Sequence, residues 1–244
     1  MSELCLPTPA SSDQAAGLRR LFAPRGARLL PVIVPDAKST RRGLALAQLA
    51  RAFAAAGDRT LVLDAARQNL AHELGQRARF DLFHGLAGER ALSEVLLPAA
   101  PRLRVAPAAR AIEQAAAHRL SLMSAIAHAA PGADIVLLAL EAARVDDLKG
   151  EAILLVGPTA TAVAAAAAEL ATLSMRSDGL AFRLVFADLE EAAARTLHER
   201  LLSSLPRPPK AELRWGGNLA GPADAARLAV AASGWDLAHI AGKS

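Results

Sequence analysis

A chain of 244 residues is long enough for one α/β domain with a sizeable core. Its 28 basic and 24 acidic side chains leave a formal surplus of only +4, scattered and without a basic run, so a nucleic-acid partner is not indicated. The single cysteine, Cys5, excludes an internal disulfide. Residues 1–12 lack the basic start and apolar core of a leader, and residues 160–171 are too short and alanine-rich to span a bilayer. The expectation is a soluble cytoplasmic protein.

Residues 1–11 are polar and contain proline, and no structure is expected there. Ser11 or Ser12 can cap a short helix through Ala23, with Asp13 and Gln14 in its favourable first turn. Gln14, Leu18 and Leu21 then share one face, with Ala15 and Phe22 beside them. Gly17 costs that helix about 1 kcal/mol relative to alanine, so it is marginal alone. Pro24, Arg25 and Gly26 centre a hinge over 24–27. A marginal amphipathic helix before a hinge suits folding on a partner, and it equally suits an extra helix lying on the domain.

The body, residues 28–236, opens with an apolar run over 28–34, a helical stripe over 44–56 and a second buried strand over 60–63 that ends at Asp64. Two such runs bridged by a helix make a βαβ unit, hence a parallel sheet with right-handed crossovers. In such a sheet the first strand–helix turn, here 35–43, receives the ligand. A phosphate cradle there needs glycines, a lysine and a hydroxyl for magnesium. The turn reads Pro35-Asp36-Ala37-Lys38-Ser39-Thr40-Arg41-Arg42-Gly43, which retains cations at Lys38, Arg41 and Arg42 but otherwise reads as a repurposed surface turn.

Further strands are expected over 103–108, 133–140, 152–156, 182–186 and 211–215, and helices over 112–129, 190–205 and 223–232. Short helices fall within 80–97, Thr159 or Thr161 caps the helix that follows 152–156, and Gly216-Gly217-Asn218 reads as a turn. Residues 237–244 form a short tail. The fold expected is a doubly wound α/β domain, a mostly parallel sheet with helices on both faces. The six histidines lack the spacing of helix metal ligands, and no serine or cysteine sits in a nucleophile pattern, so neither a metal site nor a catalytic residue is expected. Glu190-Glu191 and Asp146-Asp147 read as solvated helix starts, and Trp215 and Trp235 as packing residues near the sheet edge.

Asp13-Gln14-Ala15-Ala16-Gly17-Leu18-Arg19 resembles the DQAxxLR element at the N-terminus of FlhG proteins, also called FleN or YlxH, where it precedes a MinD-like P-loop ATPase domain. Residues 37–43 lie over the deviant Walker A loop KGGVGKT, with Arg42 in place of its terminal lysine and Gly43 in place of its hydroxyl residue. The segment from Asp64 is similar to the family's DxDxxxxxL stretch, with Ala66 where the water-positioning aspartate stands. In the Walker B strand Asp134 matches the first aspartate, the metal-side aspartate falls on Ala139, and Glu141 is a displaced carboxylate. Ala187 replaces the asparagine that reads adenine, while Trp215 and Asp224 keep the aromatic and acidic places of the closing signature.

The resemblance spans residues 13–235 and implies an FlhG-type regulator of flagellar number and placement that has become a pseudo-ATPase. It implies that residues 1–23 are an activator segment that docks on FlhF, a signal-recognition-type GTPase, and stimulates it. Gln14 would order the attacking water or its loop, Asp13 and Arg19 would fix orientation, and Ala15 and Leu18 would fill the groove. Flagellar C-ring components are further partners on this reading. Any membrane or polar recruitment, to the cell pole or flagellar base, would come through the partner. ATP and magnesium enter only on the rival reading, a divergent MinD/ParA ATPase using Lys38 and Arg42; a third reading is a scaffold for switch or polar proteins.

Overall fold

The computed structural model describes residues 26–35, 40–117, 122–141, 148–176, 179–205 and 211–240. Strand β1 (Ala27–Ile33) leads into helix α1 (Thr40–Ala55) and strand β2 (Thr60–Asp64), the expected βαβ unit. Three short helices follow, α2 (Leu70–Glu73), α3 (Leu82–Leu86) and α4 (Leu92–Val95), then strands β3 (Leu97–Ala100) and β4 (Leu103–Pro107). The helix expected over 112–129 is described in two parts, α5 (Ala109–Ala117) and α6 (Leu122–Ala129). Strands β5 (Ile135–Leu140) and β6 (Gly150–Val156), helix α7 (Ala160–Arg176), strand β7 (Leu180–Ala187) and helix α8 (Glu191–Ser204) complete the middle. Strand β8 (Leu213–Leu219), helix α9 (Pro222–Ala232) and strand β9 (Ala238–Ile240) close the chain.

The strands form one sheet in the order β3-β4-β2-β5-β1-β6-β7-β8, with β9 against β1. Pairing is parallel except for β3 with β4 and β9 with β1. Strands β2 and β5 are buried at every residue, which explains their unbroken apolar runs: each face of the sheet is covered. One face packs on α1 and α9 through Leu46, Leu49, Phe53, Leu228 and Ala232. The other packs on α5 to α8 through Ile112, Ile126, Leu170, Leu173 and Leu201. Among the described residues no helix is long and apolar enough to cross a membrane.

Two strands were not anticipated, and one turn was misplaced. Gly216-Gly217-Asn218 lies inside β8, where the pairing shifts register between Leu184 and Val185 and leaves Gly216 as the extra residue. A Cβ on Gly216 would stand 2.8 Å from a Val185 methyl and 3.0 Å from the Leu184 carbonyl oxygen, so glycine marks a close approach rather than a chain reversal. Strands β3 and β9 are short and antiparallel, three or four residues each, below what apolar periodicity resolves. Trp215 stacks on Phe186 with ring centres 5.7 Å apart, and the Arg195 guanidinium lies 4.8 Å from its ring centre.

Strand β9 solves a problem that β1 creates. Pro31 stands in the middle of this central strand and has no N–H to offer. The Arg28 N–H donates to Asp134 and the Val34 N–H to Leu140, so by alternation the Pro31 nitrogen faces away from β5. On that side β9 pairs with Ala27 to Leu29 and β6 pairs from Val32 onward. Pro31 falls at the gap between them, where no donor is needed. The wedge is fastened by Glu151, 2% exposed, whose Oε1 accepts from Arg183 at 2.8 Å and from Arg214, and whose Oε2 accepts the Asp236 N–H at 3.2 Å.

Removing that carboxylate strands the Arg183 guanidinium, leaves Arg214 with Glu212 alone and frees the segment leading into β9. Glu151→Ala is therefore expected to lower unfolding stability by about 3 kcal/mol, towards the smaller end for a broken buried pair because Arg214 is partly exposed. Urea titration of wild type, Glu151→Ala and Glu151→Gln checks this, with the isosteric variant losing less. Equal midpoints for all three would show that the cluster does not hold the base of the sheet.

Candidate functional site

The first strand–helix turn lies at the carboxyl edge of β1, beside the ends of β5, β2 and β6. Lys38 lies outside the described residues, as do Asp13, Gln14, Ala15, Leu18 and Arg19. The other positions are described and lie along the carboxyl edge of the sheet. Asp64 closes β2 and is buried, and its two oxygens organise the loop that follows: Oδ1 accepts the Gln68 N–H at 2.9 Å and Oδ2 the Leu70 N–H at 3.0 Å. Burial pushes this carboxyl above the usual aspartate range, against backbone N–H donors that pull it down. The carboxylate is a loop organiser, with its acceptors turned inward.

The loop is tightly wound. Arg67 and Asn69 both adopt left-handed backbone conformations, φ 54° and 57°, the former rare for a long side chain. Between them Gln68 is turned inward, and its Nε2 donates to the Ala66 carbonyl at 3.0 Å. This arrangement brings the Gln68 main-chain carbonyl onto the start of α1. A Cβ built on Gly43 would stand 2.5 Å from that oxygen and 3.2 Å from Cγ of Glu73. Position 43 thus tolerates no side chain while the loop keeps this course.

Arg42, in the lysine place, is not a surface cation. It is 2% exposed, and its guanidinium lies against Gly157 at the end of β6, where a Cβ would sit 3.4 Å from Nη2. Ala66, Ala139 and Ala187 are buried at separate places along the same edge. Ala139 is flanked in register by Val32 and Asp64, and its carbonyl accepts the Ala65 N–H at 2.9 Å. Glu141, just past β5, is exposed.

A magnesium nucleotide in this edge would need an oxygen at position 43, or at 66 or 139, and room for phosphates before α1. Gly43 supplies no oxygen and has the Gln68 carbonyl where a side chain would go, while the two alanines supply only methyl groups. The described residues do not fit the group.

The remaining carboxylates of the sequence pattern are structural. Asp134 sits at the opposite edge, before β5, in a two-pronged pair with Arg59 at 2.8 and 3.0 Å, which holds its carboxyl below the usual range. Asp224, in the first turn of α9, accepts from the Asn218 amide at 3.1 Å and the Ala220 N–H at 2.9 Å. Thr159 caps α7 by accepting the Ala162 N–H at 3.1 Å, one of the two hydroxyls expected to do so. Gln68 and Gly157 were given no role of their own in the sequence because those roles are contacts with residues far along the chain.

Neither a protein-family model nor a curated protein matches the sequence. Solved structures match in architecture. The MinD cell division protein of Aquifex aeolicus aligns with a TM-score of 0.59 and 17% identity, over 89% of this chain and 100% of that one. Cobyrinic acid a,c-diamide synthase from Mycobacterium smegmatis, in a structure with bound ADP and magnesium, aligns with a TM-score of 0.61 and 17% identity, over 84% and 93% of the two chains. The cell division ATPase MinD of Pyrococcus furiosus gives a TM-score of 0.51 and 16% identity, over 84% and 97%. Identities this low speak for architecture alone. This chain has the α/β fold of the MinD/ParA-type P-loop ATPases.

Proposed function

We propose that this chain is a MinD-like pseudo-ATPase that works by binding proteins, an FlhG-like regulator of flagellar number and placement. The observation that carries the first half is the contact at Gly43: the loop from Asp64 occupies the space beside α1 where a metal-binding side chain would stand. The buried Arg42 supports it, because a guanidinium packed on Gly157 is not presented to a phosphate. The second half rests on Asp13–Arg19 and its resemblance to DQAxxLR ahead of such a domain. On this reading the α/β body is a scaffold, and residues 1–23 dock on an FlhF-type GTPase and raise its turnover. Gln14 suits the water-ordering role because a neutral amide donates and accepts hydrogen bonds at once. C-ring components and the pole or flagellar base are the setting this assigns to a cytoplasmic protein.

The closure at Gly43 is tested by putting a side chain there. Gly43→Ala should lose about 2 kcal/mol of stability although helix propensity favours alanine, because the new methyl meets the Gln68 carbonyl. Gly43→Thr, which restores the hydroxyl, should be no more stable and should gain no affinity for nucleotide. Isothermal titration of either variant, or of wild type, with Mg-ATP at micromolar protein is expected to show no binding heat. Micromolar binding by the wild type, or turnover lost in Arg42→Ala, would overturn the pseudo-ATPase assignment.

The activator role is read from GTP turnover by the FlhF-type partner. Deleting residues 1–23 should abolish stimulation. Gln14→Ala should depress the stimulated rate more than binding, since a water-ordering contact matters mainly in the transition state. Leu18→Ala should instead weaken binding, by about 2 kcal/mol for a fully buried leucine. Full stimulation by the protein lacking residues 1–23 would refute the role.

A further inference from the structure

The larger of two described cavities lies away from the phosphate turn, at the opposite edge of the sheet where the parallel strands begin. Its volume, about 490 Å³, suits a small molecule. Leu61, Leu96 and Ala129, all of the same packed face of the sheet, give it a buried apolar floor. Pro98 and Ala100 of β3 line one side and the turn after α6 lines the other, so the space is shaped for one molecule rather than for a flat surface.

Three arginines line the same cavity, and they are not equivalent. The charge of Arg59 is met by Asp134. Arg102 donates to the Gly57 carbonyl at 2.6 Å, a neutral partner, and Arg104 stands exposed in register with Pro98. Among the described residues no carboxylate forms an ion pair with Arg104, and Arg102 is close enough only to add to the positive charge that Arg59 places on Asp134. The backbone at Arg102 is left-handed, φ 63°, an uncommon state for a long side chain. It is held there because the Arg102 carbonyl accepts the Thr60 N–H at 2.7 Å while its own guanidinium reaches back to Gly57. Arg104, with no carboxylate partner among the described residues, and Arg102, whose nearest carboxylate, Asp134, is already paired with Arg59, therefore stand over an apolar floor.

We propose that this cavity binds a small amphiphilic anion, an apolar acyl or aromatic body carrying one carboxylate or similar oxyanion. The floor takes the apolar body, and the guanidinium groups take the oxyanion, whose planar geometry they match. No described residue that lines it belongs to the phosphate turn, and the proposal invokes none of residues 1–23, so it goes beyond the regulatory reading and stands or falls apart from it.

The test uses the full-length protein with anilinonaphthalene sulfonate as fluorescent probe and decanoate and decanol as competitors. One saturable site is expected, emptied by decanoate at concentrations about tenfold below those needed for decanol, since only the former has a charge to pair. Arg104→Glu and Arg102→Gly, the latter chosen to suit the positive φ, should each weaken decanoate about tenfold, with thermal melts near wild type showing that the fold is intact. Absence of a saturable site, equal displacement by acid and alcohol, or unchanged decanoate affinity in both variants would each overturn the proposal.

Discussion

The approach of the Gln68 carbonyl to Gly43 is the contact on which the carboxyl edge of this domain depends. It follows from Asp64, whose two buried oxygens each take an N–H from the loop and so fix its path. The loop accepts two left-handed non-glycine residues to keep that path, a cost of the order of 1–2 kcal/mol for the less tolerant Arg67. A glycine at the start of α1 is then obligatory rather than incidental. A phosphate-binding turn places a hydroxyl at that point, which this steric relation does not admit.

The opposite edge is built with equal economy. Pro31, an improper residue for a central strand, marks the point where β1 changes neighbours from β9 to β6. The last described segment is thereby part of the sheet, fastened by the buried Glu151 and its two arginines. Arg183 also lies 4.8 Å from the ring centre of Trp235, covering the approach to β9. The sheet reaches beyond both limits that composition set for the body, to Ala27 and to Ile240. The Arg59–Asp134 pair and the left-handed Arg102 belong to this edge as well.

Most of the architecture was legible because strands buried on both faces read as unbroken apolar runs, as in Val62-Leu63 and Ile135 to Leu140. The βαβ opening, the mostly parallel sheet and a threonine cap at 159 or 161 followed from such local signals. Gly216-Gly217 misled because glycine pairs mark turns more often than bulges, and the reason for the bulge is the side chain of Val185 on the neighbouring strand. At the site, residue types at 42, 43, 66, 139 and 187 raised the expectation that nucleotide chemistry is lost. They gave no sign that the Gln68 carbonyl would stand where a side chain at 43 would go. That depends on Gln68 meeting Gly43 and on Arg42 meeting Gly157, contacts between residues remote in sequence with no periodic signature.

The central claim is that the loop from Asp64 is closed onto α1 in the protein by itself, with no nucleotide to order it. Amide hydrogen exchange resolved at Gln68 and Leu70 addresses this directly, since both N–H groups are held by the buried Asp64 carboxylate. The account predicts strong protection at both amides in buffer alone, unchanged by millimolar Mg-ATP. Rapid exchange in buffer that becomes protected when Mg-ATP is added would contradict it.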